Sequence, residues 1–531
     1  MRRLKSFGAI SIGLSSSGLL ALAAPGQGMS VLAWVALVPL LVALRGRSCG
    51  SAFGLAFLCG VAANAGIIHW VALPTEVRIV DFLLIAAYLG LWWGLFGSAL
   101  VFVMRRQAIP LPMAAPVLWV ALEYVRSHFF FLELPWILLG HTQYRQTEVI
   151  QIASITGVFG ISYVIVLVNA AMADLVLHAR HGAGSVMLSV GLLWAVWLFG
   201  YGVVTTASEA PTVPVTIVPG NVPQEARWDP SQLESHLELY FADTKTALER
   251  TEAALVVWPE TSVPGQLRRD LKTVQRLNAL VQEKHTPVLI GSADREKFGQ
   301  GGADSTDRYN SAFLFQEGRA QPSLRVYHKM KLLPFGEYVP LPNAWVWPDR
   351  YRSQSSHYNP GHEYSVFHLS PRWGSIPFAV SICWESIFPD HVRPFVLRGA
   401  EFLVTMSNEA WFSGSAATDQ LMAMNVFRAV EFRRTLVRSV NGGLSGFIDP
   451  YGRAIGVAGH HAEFAGGDRS LTRRVPIMKN RTFYAVYGDL FAQFMAALAM
   501  ALVCGLWRLK RLDSSAAQAP AMAAGRYGNS V

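Results

Sequence analysis

Cysteine and charge are both scarce in this chain. Four of its 531 residues are cysteine and 15% are charged, against 52% that are hydrophobic. Cys49, Cys59 and Cys504 fall in or beside long apolar runs, so neither a disulfide framework nor a CxxC metal-binding spacing is present. Soluble domains usually carry about a quarter of their residues as charges, so a wholly soluble protein is excluded. A large part of the chain belongs in lipid, and one long polar segment, from about Pro211 to Tyr484, does not.

Apolar stretches of membrane-spanning length lie near 7–24, 30–44, 52–73, 82–103, 111–125, 149–177, 186–204 and 490–506. Seven precede the polar segment and one comes after it. Lys and Arg resist translocation, and their clusters fix the orientation. Arg2, Arg3 and Lys5, then Arg45 with Arg47, Arg105 with Arg106, Arg180, and finally Arg508 with Lys510 and Arg511 all fall on one side of such a bundle. Both termini are then cytoplasmic, and the polar segment lies outside, in the periplasm of a cell with two membranes. The first stretch has two readings, a cleaved signal peptide ending near Ala21-Leu-Ala23 or the first helix of a hairpin. Neither alters the sidedness of the downstream segments. The formal net charge of +9 sits mostly in the cytoplasmic loops, so topology rather than a nucleic-acid partner accounts for it.

The expected organisation is therefore a helical membrane bundle over 1–208, an α/β domain over 209–484, an eighth membrane helix over 485–512 and a disordered, Ala-rich cytoplasmic tail over 513–531. Within the α/β domain, short apolar runs at 214–218, 254–258, 287–290, 312–315, 324–327, 378–382 and 402–406 read as buried strands. Amphipathic stretches at 231–250, 269–283 and 419–434 read as helices between them. Segments near 299–308 and 344–361 read as long loops, and Trp345, Trp347, Tyr351 and Tyr358 make the second either an interfacial lid or a plain anchor.

Chemistry gathers where these strands end. Cys383 is the only cysteine of the polar segment and closes the run Phe378-Ala-Val-Ser-Ile. Glu260 comes just after a strand that Pro259 stops, and Lys329 ends another, with Glu337 eight residues on. Each has a structural alternative: a cysteine as apolar filler, a glutamate as helix cap, a lysine as a solvated strand end. Together they form a mechanism. A thiol is a poor nucleophile until a base or cation favours the thiolate. Glu260 can take its proton, Lys329 can stabilise thiolate and oxyanion, and Glu337 can orient the lysine.

The blocks Trp258-Pro-Glu-Thr, Tyr327-His-Lys-Met-Lys-Leu-Leu-Pro-Phe-Gly-Glu-Tyr-Val-Pro and Ile382-Cys-Trp-Glu-Ser-Ile-Phe-Pro resemble the three catalytic signatures of the nitrilase (carbon-nitrogen hydrolase) superfamily. Within it they resemble the apolipoprotein N-acyltransferases. Gly220-Asn-Val-Pro-Gln with Trp228, Ser407-Asn-Glu-Ala-Trp-Phe, Arg428-Ala-Val-Glu, Val437-Arg-Ser-Val-Asn-Gly-Gly and Arg481-Thr-Phe-Tyr extend the similarity over most of the chain. The resemblance implies an α-β-β-α sandwich held outside the membrane by about eight helices, working as a monomer without cofactor or metal. It implies a ping-pong acyl transfer. Cys383 attacks the sn-1 ester of a phospholipid, typically phosphatidylethanolamine, and the thioester passes its chain to the α-amine of an apolipoprotein's diacylglyceryl-cysteine. By the same resemblance Glu260 is the general base, Lys329 and the Glu385 region stabilise the tetrahedral intermediate, and Trp384 and Trp228 stand at the substrate.

The sequence departs from that pattern at Trp384 (usually Tyr), Glu409 (Asp), Ser413 (Gly), Pro219 (Gln) and Leu421 (His). None is a member of the Glu-Lys-Cys set, but all bear on pocket shape and substrate choice. Two other classes compete: a membrane-anchored hydrolase using the same three residues on an amide or nitrile, and an inactive membrane protein that has kept the domain.

Overall fold

The structure, a computed structural model, describes residues 2–74, 77–106, 109–207, 209–224, 231–296, 307–318, 324–341, 349, 357–457 and 468–523. Its apolar part is helical. Among the described residues five helices are long and apolar enough to cross a bilayer: Cys49–Ile67, Ile79–Met104, Val158–Leu177, Gly182–Thr205 and Leu490–Arg508. Arg2–Ala23 and Leu111–Ser127 pack beside them.

Three expectations are corrected here. The 30–44 stretch is not one helix but a 3-10 turn, Ser30–Trp34, and then the six-residue helix Val38–Ala43, where Pro39 lacks the N–H that a continuous helix would use. The 149–177 stretch divides into Thr147–Ile150, Ala153–Thr156 and Val158–Leu177. Its last break is at Gly157, whose φ of +65° suits glycine and where a Cβ would lie 2.6 Å from the Tyr484 ring. The final helix runs Leu490–Ala523, beyond the expected end at 512, because the alanine-rich continuation has high helix propensity. Residues 524–531 of the expected tail lie outside the described residues.

Small residues let the helices approach closely. A Cβ on Gly90 would stand 2.6 Å from Val61 Cγ2, so Ile79–Met104 and Cys49–Ile67 meet almost backbone to backbone.

Among the described residues the polar part holds thirteen strands: β1 Thr212–Ile217, β2 Leu255–Val257, β3 Val263–Gln266, β4 Val288–Glu296, β5 Asp307–Phe315, β6 Arg325–His328, β7 Val366–His368, β8 Pro377–Ile382, β9 Phe402–Asn408, β10 Thr435–Asn441, β11 Gly446–Ile448, β12 Ala454–Ile455 and β13 Leu471–Pro476. They form a seven-stranded sheet, order β13-β1-β2-β4-β5-β6 with β3 beside β4, and a six-stranded sheet, order β12-β11-β10-β9-β8-β7. Each sheet has a parallel centre, β1-β2-β4 in one and β8-β9-β10 in the other, flanked by antiparallel strands. The sheets touch face to face. Ser439 Oγ of β10 donates to the Val257 carbonyl of β2 at 2.9 Å, inside the shared core.

Helices cover both outer faces. Leu237, Tyr240 and Phe241 of Leu233–Arg250, with Leu277 and Leu280 of Leu271–Lys284, pack on Val256, Ile290 and Phe313 of the first sheet. Pro389–Leu397 and Ala416–Phe432 pack on the second sheet, the latter buried along almost its whole length. All seven expected strands and all three expected helices are present. β10 escapes a reading by apolar runs because Arg438 interrupts its pattern; that residue is buried by pairing with Glu409 at 2.7 Å.

Candidate active site

Glu260, Lys329 and Cys383 lie just past β2, β6 and β8, in three turns that converge. Pro259 ends β2, since it cannot donate to the ladder, and the chain turns sharply at Thr261, φ +52°. The neighbouring strand must come very close: a Cβ on Gly291 would lie 2.5 Å from Thr261 N and 2.8 Å from Glu260 Cα. The turn is anchored below by Trp258, fully buried, whose Nε1 donates to Thr244 Oγ1 at 2.9 Å. Glu260, 7% exposed, accepts from Asn310 Nδ2 at Oε1 (2.8 Å) and from the Asn408 backbone N–H at Oε2 (2.9 Å).

Lys329, 1% exposed, is held by its backbone, which donates to Asn310 O and accepts from Gly361 N, each at 2.8 Å. Its ammonium donates to Glu337 at 2.9 Å and stands 3.8 Å from Glu260 Oε1. Glu337 also accepts from the Leu333 backbone N–H at 2.7 Å and from Asn310 Nδ2 at 3.1 Å. Its turn contains Phe335 at φ +65°. Burial opposes the charge on Lys329, but Cys383, Glu337 and Glu260 together outweigh it and hold its pKa above the usual lysine value.

Cys383 is half-buried and has φ +58°, a conformation that non-glycine residues rarely take and that recurs at functional turns. Burial, and next the charge of Glu260, push its thiol pKa up; Lys329 opposes them. Cys383 thus feels the opposing charges of Glu260 and Lys329.

Glu385 lies inside the fold rather than at an open surface. It is fully buried, and Oε1 accepts from the Met330 and Lys331 backbone N–H groups at 2.7 and 3.0 Å, while Oε2 accepts from Ile382 N at 2.8 Å. Tyr327 Oη donates to both oxygens at 2.9 Å. Burial works against the carboxylate, yet His391 and the Ile382 N–H hold its pKa below the ordinary range. Glu385 thus ties the turn after Lys329 to the turn that carries Cys383.

Trp384 is a wall. Its Nε1 donates to Lys331 O at 2.7 Å, and its ring lines a cavity of about 740 Å³ with Met330, Tyr358 and, from the segment joining two helices of the apolar part, Phe131 and Glu133. Lys331 Nζ reaches Glu133 at 2.6 Å across that cavity. Leu421 packs behind Trp384 with Met424, Ile387 and Phe388, and Cys383 lies against the same cluster. Trp228 lies outside the described residues, as do Trp345, Trp347 and Tyr351. Asn310 and Asn408 are site residues to which the sequence assigns no role; a polar Asn inside β5, a strand otherwise buried and largely apolar, is the available signal. Among the described residues no three His, Cys, Asp or Glu side chains are grouped to hold a metal ion.

Residues 16–171 match the family model described as the apolipoprotein N-acyltransferase N-terminal domain, and residues 218–475 match that of the carbon-nitrogen hydrolases. The chain is similar to an apolipoprotein N-acyltransferase of Geobacter metallireducens, 33% identical over 94% of this chain and 95% of that one. It is also similar to one of Chlorobaculum tepidum, 28% identical over 91% and 93%. Among solved structures, a nitrilase-superfamily amidase of Nesterenkonia AN1 aligns at 18% identity and TM-score 0.37, covering 54% of this chain and 98% of that one. Near-complete coverage by relatives of one kind, together with both family models in order, places the chain in the apolipoprotein N-acyltransferase family.

Proposed function

We propose that the chain transfers an acyl group from a phospholipid to the α-amine of a lipoprotein's N-terminal diacylglyceryl-cysteine, through a thioester on Cys383. The observation that carries this reading is the 740 Å³ cavity, walled on one side by Trp384 and Met330 and on the other by Phe131 and Glu133 of the apolar helical part. A hydrolase acting on a soluble amide has no use for a cavity built jointly by the catalytic turns and a segment that joins two helices of the apolar part. A lipid ester does, since withdrawing an acyl chain from the bilayer costs about 0.8 kcal/mol per methylene.

In the first half-reaction Glu260 takes the Cys383 proton as sulfur attacks the sn-1 ester carbonyl, and the oxyanion develops beside the Lys329 ammonium. Collapse breaks the carbon–oxygen bond, the proton passes from Glu260 to the departing alkoxide, and a lysophospholipid leaves. In the second, the acceptor amine attacks the thioester, Glu260 accepts its proton, and the thiolate departs toward Lys329 and is reprotonated. The amide product carries the third chain. Phosphatidylethanolamine is the proposed donor, the active unit a monomer with its α/β part outside the membrane, and both termini cytoplasmic, as the distribution of Lys and Arg supports.

Incubation with labelled phosphatidylethanolamine tests the reading. The protein acquires a hydroxylamine-labile label that Cys383→Ala lacks, and adding a diacylglyceryl peptide discharges it with a matching mass increase on the peptide. A label retained by Cys383→Ala, or a stable thioester that no diacylglyceryl amine discharges, contradicts it.

A further inference from the structure

Glu385 is a wholly buried carboxylate, and such a charge needs a counter-charge. Among the described residues no lysine or arginine is in ion-pair contact with it; the group that is, His391, is 1% exposed and places Nε2 at 3.4 Å from Oε1. His391 comes in the first turn of Pro389–Leu397, where Pro389 fixes the start of the helix. The acyl-transfer steps make no use of it.

The hydrogen bonds around Glu385 fix the state that the pair must hold. Its other partners, the Met330, Lys331 and Ile382 N–H groups and the Tyr327 hydroxyl, are all donors. An ionised carboxylate accepts from all four, whereas a protonated one would set an O–H against an N–H. Because the Tyr327 hydrogen is directed at Glu385, His391 Nε2, 3.2 Å from Tyr327 Oη, must itself carry a hydrogen. Burial opposes the charge on Glu385, and His391 is foremost among the groups that counter it. The helix dipole works weakly against a cation in this first turn, and a buried carboxylate at 3.4 Å works strongly for one. The other surroundings supply no substitute. Tyr364 faces the imidazole at 5.5 Å between ring centroids, with Arg398 over the tyrosine ring, Asp390 is 3.6 Å from Lys331, and Lys329 acts on Glu385 from farther away.

We propose that His391 is a positioning residue for thioester formation: as an imidazolium it keeps Glu385 ionised, and through Glu385 it holds the turn after Lys329 in register with the turn that carries Cys383. Loss of the imidazolium proton as pH rises leaves Glu385 either an unpaired buried charge or a carboxylic acid. Both slacken the clamp, the first by removing the counter-charge and the second by turning an acceptor into a donor. The proposal rests on the acyl-transfer reading only for the reaction that is assayed.

Hydrogen exchange of the full-length protein, read by mass spectrometry on peptides carrying Met330, Lys331 and Ile382 and corrected for the intrinsic rate, reports on the clamp without any lipid. Opening of these amides should increase roughly tenfold from about pH 6 to about pH 9 in wild type and stay level in His391→Gln, whose side-chain amide keeps an N–H but no charge. Single-turnover acylation from labelled phosphatidylethanolamine gives the functional readout. Wild type should exceed His391→Gln roughly tenfold at about pH 6, with equal KM for the lipid, and the two rates should converge by about pH 9. Should the variant fail to fold, the wild-type exchange series decides alone. Protection of the three amides that does not change with pH in wild type, or a constant ratio of the two acylation rates across the range, overturns the proposal. The expected exchange pattern in a wild-type protein that forms no thioester upholds His391 as the counter-charge of the clamp and contradicts the acyl-transfer reading instead.

Discussion

Glu260 Oε1 and Lys329 Nζ stand 3.8 Å apart, too far for a hydrogen bond and close enough for each to feel the other's charge. The lysine spends its short contact on Glu337, at 2.9 Å, and Glu260 spends its own on Asn310 and the Asn408 N–H. Glu260 is thus fixed in place by Asn310 and the Asn408 N–H while staying within ion-pair range of Lys329, a position suited to accepting a proton from Cys383.

Asn310 joins the two carboxylates through one amide nitrogen, at 2.8 Å from Glu260 and 3.1 Å from Glu337. Asn310→Ala should lower the rate of thioester formation roughly 10–100-fold by loosening both, with little change in KM for phospholipid. Single-turnover acylation measures this; an unchanged rate would show that Glu260 is positioned by the Asn408 contact alone.

Glu260 raises the Cys383 thiol pKa, so removing its charge lowers that pKa and increases the thiolate fraction at any pH below it. Glu260→Gln should therefore alkylate faster with iodoacetamide than wild type between pH 7 and 9 while forming thioester far more slowly. Parallel alkylation and acylation assays across that range check the sign. If both rates fall together, Glu260 acts on the thiol by something other than charge and proton transfer.

Glu385 accepts from three backbone N–H groups and Tyr327 while wholly buried. In Glu385→Gln an amide NH₂ must face at least one of those donors, leaving it unpaired at a cost of about 1–3 kcal/mol. A lower melting temperature with reduced acylation is expected, and Glu385→Asp should not rescue it because the shorter chain cannot span both turns. Wild-type stability in Glu385→Gln would mean that the clamp is dispensable.

Trp384 closes one wall of the large cavity and donates to Lys331 O at 2.7 Å. Trp384→Phe should cost roughly 0.5–1.5 kcal/mol of stability through that bond. Trp384→Ala should also widen the cavity, shifting transfer toward longer or bulkier acyl chains when a mixed-chain phospholipid pool is offered. Mass spectrometry of the acylated peptide reads the shift, and an unchanged chain distribution would remove Trp384 from chain selection.

Much of this is legible in the chain itself. Burial pattern and strand length are local, so seven strands, three helices and the strand-end positions of Glu260, Lys329 and Cys383 can be read from runs of a few residues. Arg438 hides β10 because its partner, Glu409, lies twenty-nine positions away. The stretch over 30–44 reads as a span because apolar composition does not register what Pro39 does to a helix ladder.

The sequence alone determined which chemical groups are available and that each terminates a strand, because residue type and strand periodicity need no distant partner. Tertiary structure decided their roles. Asn310 becomes a bridge only because β5 lies beside β4 and β6, Glu385 a clamp only because β6 and β8 end together across the two sheets, and Trp384 a cavity wall only because Phe131 and Glu133 come up from the helices. The hydrogen bonds in those relationships join residues 27 to 55 positions apart in the chain, and hydrogen bonding and packing at such separations are set by how the sheets and helices meet.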